Sequence, residues 1–337
     1  MHDKLFIALT MGDPSGIGPE IILKGFLKFK ERPWQVIVIG DYSFLQEKAR
    51  RFNLSIALKP INNISEGDFS PGKLHILDMK NLPRDIPEGV ANKEAGKASY
   101  EYIKKAVELA LEGKASAIVT APINKKSISL SGFSCIGHTE MLAQLTDTRD
   151  CAMMLIGGKI RVVLVTTHFS ISEVNRFIKR DKIFKTISLA DHSLRFFGIN
   201  TPNIAVAGLN PHAGESGVFG NEEIKEIQPA IDMAKQQGIN VSGPYPADSL
   251  FVKAKNGEFD AVVVMYHDQG LIPVKMEGFG RGVNVTLGLP VIRTSVDHGT
   301  AYDIVGKGIA DSGSLIAALE VAVKLVKAKK GKTISWP

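Results

Sequence analysis

Cysteine is scarce in this sequence: only Cys135 and Cys151 occur among 337 residues, and they form no CxxC pair. Two thiols cannot build a disulfide framework, so a reducing compartment is expected. Long hydrophobic runs are also missing. Nothing approaches the ~20 apolar residues of a membrane span, and the short opening run that starts at Lys4 lacks a signal peptide's longer apolar stretch and cleavage site. A cytoplasmic protein with no membrane partner is the expectation. There is no internal repeat, no Ser/Gly linker and no low-complexity tract. The dinucleotide fingerprint GxGxxG is absent, and Gly306-Lys307 fails as a phosphate loop because Ala301 and Gly308 stand where Gly and Ser/Thr are required. Strong charge of one sign is lacking too. The 41 Lys and Arg exceed the 35 Asp and Glu by 6, and Lys324, Lys327, Lys329, Lys330 and Lys332 near the chain's end supply most of that excess. The basic balance is therefore local, the solvated face of a last helix, and no nucleic-acid partner is expected.

What is present is a chain longer than the usual single-domain span, with 44% apolar and 23% charged residues, able to bury a large core in two domains. Short β-rich runs punctuate it: LFIALT at Leu5, VIVIG at Val36, LHILDM at Leu74, AIVT at Ala117, RVVLVTT at Arg161, NIAVAGL at Asn203 and AVVVMY at Ala261. Amphipathic segments lie between them. One helix follows Pro19, one spans about Lys93 to Leu111, and one spans Asn221 to Gln237 with Gly238 closing it. Ser170 and Glu173 have the spacing of a capping box. The stretch from Gly282 to Val296 reads as two strands, and a helix from about Ser312 to Lys329 follows. Such alternation predicts an α/β fold, an open, doubly wound sheet of parallel strands joined by crossover helices.

Three histidines share a context. His168 follows RVVLVTT, His212 follows NIAVAGLNP and His267 follows AVVVMY, so each lies just past the C-terminal end of an expected strand. Open α/β sheets bind ligands at that edge. Neutral imidazoles suit a divalent transition metal, and three protein ligands with open positions mark a catalytic site. Gaps of 44 and 55 residues match no local metal motif, so spacing alone leaves surface histidines as the alternative. Asp268 abuts His267, and Asp248 follows a glycine-proline turn; each can orient a ligand or serve as general base, with a helix cap the alternative for Asp248. Lys275, Asn284 and Arg293 come next in strand or loop contexts, where the two cations suit phosphate or carboxylate if they are more than surface charge. His138 and Thr139 open an expected helix after Gly137, a place for an anion or for plain capping. GDPSGIGPE, from Gly12 to Glu20, joins the first strand to a helix, where glycines let backbone approach a ligand.

Taken together, TMGDPSGIGPE, TAPINK, GHTEML, TTH, GLNPHAGE, PYPADS, YHDQGLIPVK and GLPVIRTSVDHGTAYDIVGKG resemble the 4-hydroxythreonine-4-phosphate dehydrogenase family, in order from Thr10 to Gly308. Two strings also resemble the wider isocitrate and isopropylmalate dehydrogenase group: GDPSGIGPE is similar to its GDGIGPE, and HGTAYDIVGKGIA to its HGSAPDIAGKGIA. That group binds NAD without the glycine fingerprint.

The resemblance implies two α/β/α domains with a cleft between them, the first formed by 1–130 plus 285–337 and the second by 131–284. It implies an NAD- or NADP-dependent oxidoreductase of pyridoxine biosynthesis. The implied reaction oxidises 4-phosphooxy-L-threonine at carbon 3 and decarboxylates it to 3-amino-2-oxopropyl phosphate. One divalent ion, zinc, magnesium or cobalt, is implied at His168, His212 and His267, shared across a homodimer interface. His138, Thr139, Lys275, Asn284 and Arg293 are assigned to the small phosphorylated substrate, and Asp248 and Asp268 to acid and base work nearby. His298, Gly299, Thr300, Ala301 and Asp303 are assigned to the cofactor, with Tyr302 departing from the wider group's proline. A paralogous dehydrogenase of threonate or erythronate 4-phosphate is the near alternative. A non-catalytic metal- or anion-binding module is the remote one.

Overall fold

The computed structural model describes residues 5–29, 34–133 and 137–331; Lys4, Cys135 and Lys332 lie outside them. In chain order the strands are β1 (Phe6–Thr10), β2 (Gln35–Gly40), β3 (Ala57–Ile61), β4 (Lys73–Asp78), β5 (Ala117–Thr120), β6 (Ala152–Gly157), β7 (Ile160–Leu164), β8 (Ile204–Ala207), β9 (Val241–Tyr245), β10 (Ala261–Val264), β11 (Val283–Leu287) and β12 (Arg293–Val296). The α-helices are α1 (Gly18–Phe29), α2 (Tyr42–Arg51), α3 (Lys93–Leu111), α4 (Lys125–Leu130), α5 (His138–Leu145), α6 (Ile171–Phe177), α7 (Arg180–Phe196), α8 (Gln228–Gln236), α9 (Ala247–Lys255), α10 (His267–Gly278) and α11 (Gly313–Lys329). No described helix is long and apolar enough to cross a membrane.

The chain forms two compact units, 1–149 with 289–326, and 150–288 with 327–337. The segment 131–149, which the sequence grouped with the second domain, lies in unit 1, where α5 packs against α3. Unit 1 carries the strand order β3-β4-β2-β1-β5-β12, parallel throughout. Its central strands are buried on both faces, which is why FIALT and AIVT read as unbroken apolar runs. β3 is the edge, mostly exposed and carrying Lys59 and Pro60, residues that blunt an open strand. Asn92 caps α3 by accepting the Ala95 N–H at 2.8 Å. One turn on, Gly96 lies so close to the Ser127 carbonyl that a Cβ there would overlap it, so this glycine sets the approach of α3 to α4.

Unit 2 carries the order β11-β6-β7-β10-β8-β9. β6 runs antiparallel to both β11 and β7, whereas β7, β10, β8 and β9 pair in parallel. The expectation of parallel strands thus needs one correction. β6 and β7 are joined by the short turn at Gly158-Lys159, which permits only an antiparallel return. The core of the unit is built from Val162, Leu164, Ala205, Ala207, Val262 and Val264, alternate residues on neighbouring strands, with Leu250 of α9 and Val274 of α10 packed on them. Two local expectations also change. Ser170 is the N-cap residue of α6 but makes no side-chain capping bond; its hydroxyl donates instead to the Glu173 carboxylate at 2.6 Å. Gly243-Pro244 lies inside β9 rather than in a turn.

Candidate active site

Unit 2 brings the three histidine loops to one edge. β7, β10 and β8 are adjacent and parallel, and His168, His267 and His212 follow their respective C-terminal ends. The loops are braced to one another by buried polar side chains. Thr166 donates its hydroxyl to the Met265 carbonyl at 2.6 Å. Gln269 accepts the Met265 N–H at 2.7 Å and donates to the Gly208 carbonyl at 2.7 Å, tying the His267 loop to the His212 loop. The His168 and His267 ring centroids are 5.9 Å apart. Each centroid lies roughly 3.2 Å from a cation held at a ~2.1 Å metal–nitrogen bond, so both rings can reach one ion. Asp268 accepts from His267 Nδ1 at 2.7 Å, which fixes the tautomer and leaves Nε2 as the ring's free lone-pair donor. Among the described residues of one chain, no three His, Cys, Asp or Glu side chains are gathered for a metal.

His212 begins a run of left-handed backbone, with φ of 51° at His212, 52° at Ala213, 79° at Gly214, 41° at Glu215 and 56° at Ser216. L-residues pay for that conformation, so something must hold it. Glu223 does. Its buried carboxylate accepts the Leu209 and Asn210 N–H groups at 2.8 Å each and the Asn210 side-chain amide at 3.0 Å. Glu223 opens a π-helical turn, Glu223–Ile227, where the sequence predicted the start of a regular α-helix. Its role is invisible in sequence, since a carboxylate in a helix's first turn normally reads as surface charge. Glu223→Ala is expected to cost about 2–4 kcal/mol, because it strips the acceptor from several buried donors. Urea unfolding measures this, and a loss below about 1 kcal/mol would discard the clamp.

Asp248 lies exposed in the first turn of α9, its carboxylate accepting the Ser249 N–H at 2.9 Å; Pro246, not Asp248, is the capping residue. Lys275 is exposed near the end of α10, a helical context rather than the strand or loop expected. Asn284 sits on β11, half-buried, with Oδ1 sealed from solvent and without a partner among the described residues.

Unit 1 holds the other substrate candidates. Arg293 lies on β12, 1% exposed, and donates to the Thr120 hydroxyl on β5 at 2.7 Å. Burial pushes its guanidinium down to about 9. His138 and Thr139 form the first turn of α5 behind Gly137, which caps the helix without a side chain. His138 Nε2 is sealed from solvent with no partner among the described residues. Burial first, and then the charge of Arg293, hold this imidazole well below its ordinary value. The charged forms of the buried Arg293 and the half-buried His138 are disfavoured near the N-terminus of α5, a setting that an anion relieves. Lys125 of TAPINK also lies beside Gly137, a neighbour the sequence reading did not single out.

The depressed histidine has a consequence for stability. Unfolded, the His138 ring takes a proton near pH 6.5, whereas folded it resists doing so. The unfolded state therefore binds more protons, and stability falls as pH drops below about 6.5, by at most about 1.4 kcal/mol per pH unit for this group. His138→Asn should flatten that slope in denaturation curves taken from pH 7.5 to 5; an unchanged slope contradicts the assignment.

Also in unit 1, the His298–Asp303 loop packs on the Gly12–Glu20 segment. Ile17 N–H donates to the Thr300 carbonyl at 3.0 Å. Gly299 faces open space, and His298 Nε2 is sealed without a partner among the described residues while Nδ1 lies 3.0 Å from the Gly299 carbonyl. Thr300 is buried, Ala301 is left-handed at φ 44°, and Asp303 is exposed. An open glycine beside an orphaned ring acceptor fits a loop that takes a polar ligand such as a dinucleotide.

An α/β protein with histidines at adjacent strand ends and a basic pair at a helix N-terminus offers donors suited to a metal and to an anion. The family model described as pyridoxal phosphate biosynthetic protein PdxA matches residues 32–322. A 4-hydroxythreonine-4-phosphate dehydrogenase from Desulforapulum autotrophicum is 47% identical, covering 94% of each chain. A D-threonate 4-phosphate dehydrogenase from Cupriavidus necator is 46% identical, covering 96% of this chain and 98% of its own. The crystal structure of 4-hydroxythreonine-4-phosphate dehydrogenase from Klebsiella pneumoniae matches with a TM-score of 0.89 and 42% identity, covering 96% of this chain and all of the other. The chain belongs to the PdxA family.

Proposed function

We propose that this chain oxidises carbon 3 of 4-phosphooxy-L-threonine with NAD or NADP and then decarboxylates the product to 3-amino-2-oxopropyl phosphate, in pyridoxine synthesis. The observation that carries the reading is the braced row of His168, His267 and His212 on three neighbouring strand ends. Of zinc, magnesium and cobalt, zinc or cobalt suits a set of three neutral imidazoles, whereas magnesium prefers oxygen donors, and a divalent cation held there would supply Lewis acidity to the substrate's hydroxyl oxygen. The dinucleotide, held along His298, Gly299, Thr300, Ala301 and Asp303, supplies the hydride acceptor.

The residues of the chain do the rest. His138, Thr139, Arg293, Lys275 and Asn284 bind the substrate and its phosphate. Asp268 orients His267, and Asp248 receives the hydroxyl proton as hydride leaves carbon 3. The new carbonyl then accepts the electron pair left when the carboxylate departs as carbon dioxide.

The working form we infer is a homodimer in which the partner completes the metal site. α10 begins with His267 and exposes Ile272 and Met276, one turn apart on the same face, with Phe279 exposed just past its end.

A second reading, D-threonate 4-phosphate as substrate, has a specific support in the Cupriavidus necator relative, whose name gives that substrate at nearly the same identity. The two molecules differ at carbon 2, amino against hydroxyl. Absorbance of reduced nicotinamide, followed with 4-phosphooxy-L-threonine, D-threonate 4-phosphate and D-erythronate 4-phosphate, each with and without chelator, separates the readings. Turnover of the first, abolished by chelator, is the expected result. Turnover of threonate alone moves the substrate to the second reading, and silence with all three leaves a binding module.

A further inference from the structure

Among the departures of this chain's strings from those of the wider dehydrogenase group are the added Pro14-Ser15 in GDPSGIGPE and Tyr302 in place of proline. In the structure these departures meet. Tyr302 donates its hydroxyl to Asp13 Oδ2 at 2.6 Å, and Ser127 at the start of α4 donates to the same oxygen at 3.3 Å while lying 3.2 Å from the Tyr302 hydroxyl. The other oxygen, Asp13 Oδ1, accepts the Ser15 N–H at 2.8 Å. Ser15 is itself tied down, its hydroxyl accepting from Asn92 at 2.7 Å and its carbonyl from the Gly89 N–H at 2.8 Å. Asp13 and Ser127 are fully buried. A proline at 302 has no group that could reach Asp13.

From this geometry we infer that Asp13, Tyr302 and Ser127 form a latch on the cofactor loop, with Tyr302 a positioning residue that sets dinucleotide affinity. The inference rests on the proposed reading of 298–303 as that loop. Three features give the latch something to hold. Ala301, next to Tyr302, sits in left-handed backbone that a non-glycine residue leaves when released. Thr300, one residue earlier, is anchored by the Ile17 N–H and packs where Gly16 has no side chain. Farther along, Lys24 donates to the Gly308 carbonyl at 2.6 Å and Glu20 accepts the Ala310 N–H at 2.8 Å. The loop is therefore pinned at both ends, and Tyr302 holds its middle. Burial raises the Asp13 carboxyl while its three donors oppose that rise. Removal of one donor leaves buried charge less satisfied at the point where the loop must stay put.

Calorimetric titration of the purified protein with NAD, with NADP and with the phosphorylated substrate tests the latch. If neither dinucleotide binds the unmodified protein, the cofactor reading itself falls, and the latch with it. Given binding, Tyr302→Phe is expected to weaken the dinucleotide by about tenfold, the loss of one charge-assisted hydrogen bond, with substrate affinity kept within about twofold. Steady-state kinetics should show the same split: KM for the dinucleotide rises while kcat at saturating dinucleotide holds. Unchanged dinucleotide affinity, or an equal loss toward both ligands, overturns the proposal. Should Tyr302→Phe not fold, Ser127→Ala carries the comparison, with an expected loss of about threefold confined to the dinucleotide.

Discussion

His212→Ala is expected to reduce kcat/KM by at least about a thousandfold, the several kcal/mol a catalytic cation contributes, and to lower bound metal while leaving the fold intact. The side chain is exposed, so its removal opens no cavity, and Ala213 beside it already tolerates the same left-handed backbone. Metal content by atomic absorption, circular dichroism and turnover with added ion separate the outcomes. Full activity of the variant in metal-free buffer would remove the metal role. Loss of activity with unchanged metal content and affinity would instead make His212 a substrate contact.

For Arg293→Ala the expected loss is about 1.5–3 kcal/mol in kcat/KM toward the phosphorylated substrate, the range of a charge-assisted hydrogen bond. Arg293 is buried on β12, so truncation also leaves the Thr120 hydroxyl without its donor and creates a void. Arg293→Lys is therefore the necessary companion, since it keeps charge and most of the volume but not the planar fork. If phosphate is recognised through that fork, lysine recovers stability while kcat/KM stays low. Were kcat/KM unchanged in the alanine variant, Arg293 would be a structural cation and no part of the anion site.

How much of this was legible in sequence depends on whether a residue's role is local. Val162, Val206 and Val263 lie in strands with apolar runs because those strands are covered on both faces, and such runs reveal strands without any partner being known. The three histidines inherit that legibility, since the end of a parallel strand is where loops meet ligands. Ala57–Ile61 is an exposed edge with a proline, and Val241–Tyr245 contains Gly-Pro, so neither carries the pattern of a core strand. Ala152–Gly157 is not among the expected strands despite its apolar run, AMMLIG, and nothing in it signals the reversed direction, which comes from the short turn that follows.

Site residues that act through tertiary bonds were out of reach. Tyr302 meets Asp13 across 289 residues and Ser127 across 175, and no periodicity records such a pairing. Gln269 and Glu223 hold the histidine loops by accepting backbone N–H groups, a task any acceptor in the right place can do. Lys275 shows the opposite error. Its sequence context suggests a strand or loop, but α10 continues past both Gly270 and Pro273 and carries it on a helix.

An anomalous-scattering map from crystals grown with zinc or cobalt probes the site most directly. The account predicts one cation peak within about 2.0–2.2 Å of ring nitrogens from His168, His212 and His267, counting those of the partner subunit. A peak elsewhere, or one of these imidazoles lying more than about 4 Å from the ion, would contradict it.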